Sequence, residues 1–437
     1  MPNVARMEDG QSGLEPVGNR REGSIDRMRI DRPHRARGAR LLPILLCLLT
    51  GCASRNESVL QPLAAAPYDT GRVDMLVATT RKAVDDPGLR YSGDRAMTIS
   101  LDRILVSIPP DRARKVGDVQ WPARAPADPE KEFAVVATSK ITSEEQVGDW
   151  FRKNRNRKRQ ALIFVHGFNN TYSDAVFRFA QIVHDARTDA APILFSWPSR
   201  ASALGYLYDK ESTNYSRRAL EDLIIQAAES PDVGDITILA HSMGTWLTTE
   251  ALRGVAMRNK KIPAKVSAVI LASPDIDTDV FRRQMLEMGT VRPHFTILSS
   301  TQDKALDLSR WLSGGLDRVG GLALRPYAAD LARLGVSVID TSTISAGDPL
   351  GHNTFAESPE IVRLLGRRIA GQPLEGDRGS LAERSGDALV GATRLVGGAV
   401  RAVGTAATAV GDPAIREILR RQRTSATSRA TDDRNSY

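Results

Sequence analysis

The sequence predicts an α/β fold, a mostly parallel twisted sheet with helices on both faces. Three observations predict it. From Ala161 onward, short apolar runs alternate regularly with segments of helical period, which is the pattern of strand–helix–strand units. The runs Ala161-Leu162-Ile163-Phe164-Val165 and Ile236-Thr237-Ile238-Leu239 read as buried strands. The composition, rich in Ala and Gly and poor in aromatics, provides a core of Val, Ile, Leu and Ala in a chain of 437 residues. That length allows one large domain or two modest ones.

Taken in order, residues 74–80 read as a first strand, 98–108 as a second ended by Pro109-Pro110, and 133–138 as a third, together an antiparallel edge. The turn Thr79-Thr80-Arg81 reads as ordinary loop, with lining of the site rim the alternative, and the Pro-rich stretch 109–130 as loop without legible chemistry. Residues 152–159 are densely basic but carry no interleaved aromatics, so they read as a solvated loop rather than a nucleic-acid site. Contact with anionic lipid headgroups is the sharper alternative for them. Strands are then expected at 161–165, 192–196, 236–240, 266–271, 295–299 and 336–340. Helices are expected near 172–187, 213–229, 243–258, 277–287, 303–312 and 358–370. Trp197 ends its strand where ligands of such sheets bind, either walling a pocket or packing under a helix. Residues 201–215, with three tyrosines, read as a cap or rim.

Two stretches carry chemistry. In Ala240-His241-Ser242-Met243-Gly244 a serine lies two residues from a small residue on either side, after a strand and before a helix. This is the arrangement of a nucleophile elbow: the turn is sharp, so its flanks must be small, and the hydroxyl stands at the positive end of the next helix. Ala240 replaces the consensus Gly with the least possible bulk. The second stretch is Val165-His166-Gly167-Phe168-Asn169-Asn170, where an apolar strand runs directly into a turn. Acyl transfer needs two backbone N–H groups aimed at the developing oxyanion, and Met243 and Phe168 are the candidates. Its alternative is an ordinary strand-to-helix turn with Gly167 supplying backbone freedom.

With Phe195-Ser196-Trp197-Pro198-Ser199, Leu271 to Asp277 and Gly351-His352-Asn353, these motifs make residues 68–370 resemble the α/β-hydrolase superfamily. Within it, the chain resembles a bacterial branch of esterase- and lipase-like hydrolases. The resemblance implies an α/β-hydrolase fold and the chain order serine, acid, histidine. Only His294 and His352 follow Ser242. His294 begins its strand, at the wrong end, whereas His352 follows the last strand in a Gly-rich loop, so His352 is the expected base. Asp303, after the strand 295–299, is the expected acid, with Asp275 the alternative and Asp348 a turn residue. His241 is expected to point away from the nucleophile, and His166 to orient the oxyanion loop. No metal-ligating spacing and no phosphate-cradling loop occurs, so no cofactor is expected.

The ends differ in kind. Residues 41–52 form a short apolar run ending Leu49-Thr50-Gly51-Cys52 after a basic segment, too short to span a bilayer. It resembles the lipobox of bacterial lipoproteins. The resemblance implies a leader over 1–51, with a start at Met28 giving it normal length, and Cys52 as an acylated mature N-terminus. Ala53 in the next position implies the outer membrane, facing the periplasm. Residues 52–67 read as a tether. Beyond Gly371 lies a Gly/Ala/Arg-rich tail, mostly disordered or forming an amphipathic helix over 386–411 that binds a membrane or partner. The activity expected is hydrolysis of carboxylic esters of unknown acyl chain. A catalytically idle envelope binding protein and an acyltransferase are the alternatives.

Overall fold

The computed structural model describes residues 58–64 and 69–372, apart from 325–326, 328–330, 333–334 and 345–346. The expected leader, Cys52 and the 386–411 repeat lie outside the described residues.

Strands β1 (Gly71–Ala83), β2 (Tyr91–Ile108) and β3 (Ala134–Ile141) form the antiparallel edge anticipated from the sequence. β4 (Gln160–Val165), β5 (Ala191–Ser196), β6 (Asp235–His241), β7 (Val266–Ala272), β8 (His294–Ser299) and β9 (Val336–Asp340) run parallel. The nine strands make one sheet in the order β3-β2-β1-β5-β4-β6-β7-β8-β9, with β1 joining the parallel part beside β5. Strand periodicity divides the apolar residues between two layers. Ile163, Val165, Ile193, Ile238 and Leu271 face α1 (Glu144–Asn154), α3 (Tyr206–Glu229), α4 (Met243–Asn259) and α5 (Thr278–Glu287). Leu162, Phe164, Leu194, Leu239 and Ile270 face α2 (Tyr172–Asp185), α7 (Thr354–Glu357) and α8 (Pro359–Ile369). Helix α6 (Lys304–Leu312) follows β8. The carboxyl ends of β4, β5, β6, β7 and β8 therefore open on one edge, where ligands of parallel sheets bind.

Four expectations from the sequence are corrected. Arg81 is strand, not loop: β1 runs on past Thr79 and Thr80 to Ala83, and its register against β2 breaks between Thr79 and Arg81. Such irregularities re-aim a side chain, and here Arg81 turns inward and is 1% exposed. Residues 58–64, assigned to the tether, are held to the antiparallel edge: Val59 and Leu60 are buried, and the Leu60 and Leu63 N–H groups donate to Gly88 and Val135 carbonyls. Residues 152–154 of the basic run close α1 instead of lying in a loop, and Arg152 and Arg155 both pair with Asp232. Helix α3 begins at Tyr206 rather than 213, so most of the expected rim is its first turns.

Candidate active site

Ser242 sits between β6 and α4 at φ 51° and ψ −124°, a region costly for a non-glycine residue. Its backbone is over-determined by neighbours: the N–H donates to Ala272 O at 2.9 Å, and the carbonyl accepts from Thr245 N at 3.0 Å and Asp275 N at 3.4 Å. The hydroxyl makes no capping bond to α4, although it stands at the helix N-terminus. The sharpness of the turn also explains its glycines. A Cβ on Gly244 would meet His166 O at 2.3 Å and Val165 O at 2.7 Å, and one on Gly167 would meet Ser242 Cβ at 2.9 Å.

That close packing presses the Gly167 turn against the elbow. Neither Phe168 N–H nor Met243 N–H donates to a protein acceptor among the described residues. His166 is fully packed beneath the turn. Burial first, then the Arg81 charge, pulls its pKa down to about 3, so the ring is neutral. Trp197 N–H donates to Nε2 at 3.1 Å, which leaves the proton on Nδ1 to donate to Gly167 O at 2.8 Å. Trp197 stacks on this ring at 4.8 Å and donates its indole N–H to His166 O at 2.8 Å. It is an internal support of the turn and does not wall a pocket.

Asp303 and His352 meet on the same sheet edge. Asp303 caps α6: its Oδ1 accepts from Ala305 and Leu306 N–H at 3.1 Å each, while its Oδ2 lies 2.7 Å from His352 Nδ1. The Asp303 carboxylate is thus pinned by a helix end and offers its second oxygen to the imidazole. The 347–353 loop is tied to the same turn, since Lys304 N–H donates to Leu350 O at 3.0 Å. Asp348 gathers the N–H groups of Leu350, His352 and Asn353 at 2.8–2.9 Å, shaping the loop that presents His352. Burial opposes protonation of His352, but attraction and hydrogen bonding from Asp303, with smaller help from Asp348 and Asp275, outweigh it. Its pKa lies above the ordinary imidazole value.

His241, next to the elbow serine, ties that histidine loop to β6. Its ring lies 4.7 Å from the His352 ring and 4.4 Å from that of Phe355, and Nε2 donates to His352 O at 3.2 Å. Burial, then the charge of His352, holds its pKa well below the usual value, so it supports the loop as a neutral group. Ser273 Oγ donates to the same carbonyl at 3.4 Å. These contacts bring the loop of residue 352 against the residue adjoining Ser242.

Asp275, the alternative acid, is committed elsewhere. Its Oδ1 accepts from Ser309 Oγ at 2.6 Å and pairs with Arg318, and its Oδ2 accepts from Tyr206 O–H at 3.3 Å. Burial and then Asp275 push the Tyr206 hydroxyl up to about 12, which keeps it protonated and donating. Tyr206 also meets the Phe168 ring edge-on at 5.5 Å. His294 lies at the opposite edge, at the start of β8, on Ser337 Oγ.

Sequence reasoning missed two buried charges beside this edge. Arg81 reaches Ser196 Oγ, Ser199 O and Asn170 O at 3.0, 3.0 and 2.8 Å. Asp209, from α3, accepts from Arg200 N at 2.9 Å and Asn169 N at 3.4 Å. An arginine in a segment read as loop and an aspartate in a segment read as cap or rim look solvated in sequence; the irregular β1–β2 register turns the first inward.

No curated protein matches the chain in sequence. Similar solved structures include brefeldin A esterase, a bacterial homologue of human hormone sensitive lipase, at 13% identity and TM-score 0.34, covering 76% of this chain and 84% of that one. A fungal esterase from Rhizomucor miehei is similar at 12% identity and TM-score 0.32, covering 80% and 92%. Aspergillus fumigatus lipase B is similar at 17% identity and TM-score 0.32, covering 57% and 61%. Residues 142–368, which hold the elbow, the Gly167 turn and the Asp303–His352 pair, match the family described as "Alpha/beta hydrolase of unknown function (DUF900)", and the chain belongs to that family.

Proposed function

We propose that this α/β hydrolase cleaves carboxylic esters through an acyl-enzyme on Ser242. In that reading His352 takes the Ser242 proton and later returns it to the leaving alcohol. Asp303 holds the imidazole tautomer and stabilises the imidazolium without itself taking the proton. The Phe168 and Met243 N–H groups receive the negative charge that develops on the ester oxygen. Water then attacks the acyl-enzyme, with His352 again as base. The observation that carries the reading is the 2.7 Å contact between His352 Nδ1 and an Asp303 carboxylate already anchored as a helix cap. It is the geometry a general base needs, because it leaves Nε2 as the proton acceptor.

A fluorophosphonate probe tests this directly. The wild-type protein is expected to be labelled, and Ser242→Ala to remain unlabelled with its thermal unfolding unchanged. Equal labelling of both proteins, or labelling of neither, refutes the proposal.

We propose also that Cys52 anchors the protein to a bacterial envelope membrane, on the strength of the apolar run ending at that residue. Expressed in a bacterium that processes lipoproteins, the wild type should fractionate with membranes and Cys52→Ser should not. Co-sedimentation of both would remove the lipid anchor from the account.

A further inference from the structure

Arg81 and Asp209 are buried charges of opposite sign, 1% and 0% exposed, that engage the same two loops. Arg81 collects carbonyls: Asn170 O in the loop after β4 and Ser199 O in the loop after β5. Asp209 collects N–H groups next to those carbonyls, from Asn169 and Arg200. The loops are also joined directly, since Asn170 N–H donates to Ser199 Oγ at 3.1 Å, and Ser199 hydrogen-bonds Asp209 as well. The Ser199–Arg200 peptide unit offers its carbonyl to Arg81 and its N–H to Asp209 and cannot rotate without breaking both. In the loop after β4 the two charges hold two separate units, Asp209 the N–H of Phe168–Asn169 and Arg81 the carbonyl of Asn170–Thr171. The Phe168 N–H belongs to the peptide unit immediately before the one that Asp209 holds through Asn169.

We propose that Arg81 and Asp209 are positioning residues for the oxyanion loop, together fixing the direction in which the Phe168 N–H points. The inference rests on the reading of Ser242 as nucleophile, but it goes further. It assigns part of the site's preorganisation to β1, upstream of the residues 142–368 matched by the family. The arrangement has a physical logic. Oxyanion stabilisation acts through donors oriented before the reaction, so a donor on a loop needs a support that does not relax when charge appears. Burying a guanidinium carries a large desolvation penalty unless its donors are satisfied, and Arg81 spends them on the backbone of that loop and its neighbour. Lysine carries the charge but not the fork: one ammonium cannot reach Ser196, Ser199 and Asn170 in the same directions.

The test uses Arg81→Lys, Arg81→Met and Asp209→Asn in the full chain, with a short-chain nitrophenyl ester, fluorophosphonate labelling and amide hydrogen exchange. Losing one oxyanion donor lowers kcat by about 10²–10³-fold. Arg81→Met and Asp209→Asn are expected to lose on the order of 10–100-fold in kcat, as a donor misdirected rather than removed. KM should stay within about threefold, labelling should slow in parallel, and Arg81→Lys should recover part of the loss. Exchange should accelerate at residues 168–170 ahead of the rest of the sheet edge. Folded variants with wild-type kcat, labelling and loop exchange would overturn the clamp. So would a failure of all three to fold, which would make the pair part of the scaffold. A wild type that resists the probe would instead sink the nucleophile reading, and loop exchange would still report on the clamp itself.

Discussion

Asp303→Asn is expected to lower kcat by about 10⁴-fold while leaving the protein folded. Asp303 has two separable duties: Oδ1 caps α6 and Oδ2 meets His352 Nδ1. Asparagine retains an oxygen for the cap, so stability should change by no more than about 1 kcal/mol. Its amide nitrogen, however, faces Nδ1 with a donor. The ring then keeps its proton on Nε2, where it cannot accept one from Ser242. The pH profile separates this from a general loss of structure. Because Asp303 helps hold the His352 pKa above the ordinary 6.5, the acid limb of kcat/KM in the wild type should lie above that value. Protonation below the limb removes the base. In Asp303→Asn that attraction is gone and burial is opposed only by the smaller pull of Asp348 and Asp275, so the limb should move to lower pH. Asp275→Asn should keep kcat within about threefold, since Asp275 binds Ser309, Tyr206 and Arg318 rather than the imidazole. An active Asp303→Asn beside an inert Asp275→Asn would transfer the acid's role.

The contrast between these two aspartates marks how far the sequence reaches. Asp303 could be chosen because it follows a strand that ends on the reactive edge, and the same logic discards His294, which begins that strand. Position along a strand fixes the edge, and strands announce themselves by apolar runs. Asp275 also follows a strand, so only its partners distinguish it. Those partners come from α3, α6 and the loop at Arg318, far apart in the chain. Tertiary meetings of this kind have no local signature.

Other misses had signals that composition hid. Ser143 stands three residues before Gln146, accepts its N–H at 3.3 Å and opens α1, with Trp150 and Phe151 buried on the inner side. The basic residues that follow drew the eye to solvent, yet Arg152 and Arg155 close on Asp232. Val59 and Leu60 are two apolar residues in a polar stretch, too few to form a period, and they pack because the β1–β2 edge offers a surface nearby. The catalytic candidates were legible for the opposite reason: the chemistry demands particular residue types at particular ends of strands, and six histidines leave few choices.

Two glycines of α4 should respond to alanine with very different effects, and the pair isolates what the elbow requires. Gly244→Ala is expected to cost about 3 kcal/mol or more, because the new Cβ would lie 2.3 Å from His166 O and 2.7 Å from Val165 O. Both obstacles are backbone at the end of β4, in the middle of the sheet, so relief requires α4 to move away from that strand. Such a shift also separates the Met243 N–H from the Gly167 turn, and activity should fall further than stability alone accounts for. Gly254→Ala meets only the Glu221 carboxylate, the far end of a side chain that can rotate. There the helix gains about 1 kcal/mol of intrinsic propensity. Against this stands the disturbance of Glu221, which pairs with Arg258 at 2.5 Å, so the net change should stay within about 1 kcal/mol. Chemical denaturation of the two variants reads both numbers. Equal, small losses would mean that the close approach of the elbow to β4 is not what holds Ser242 in its strained conformation.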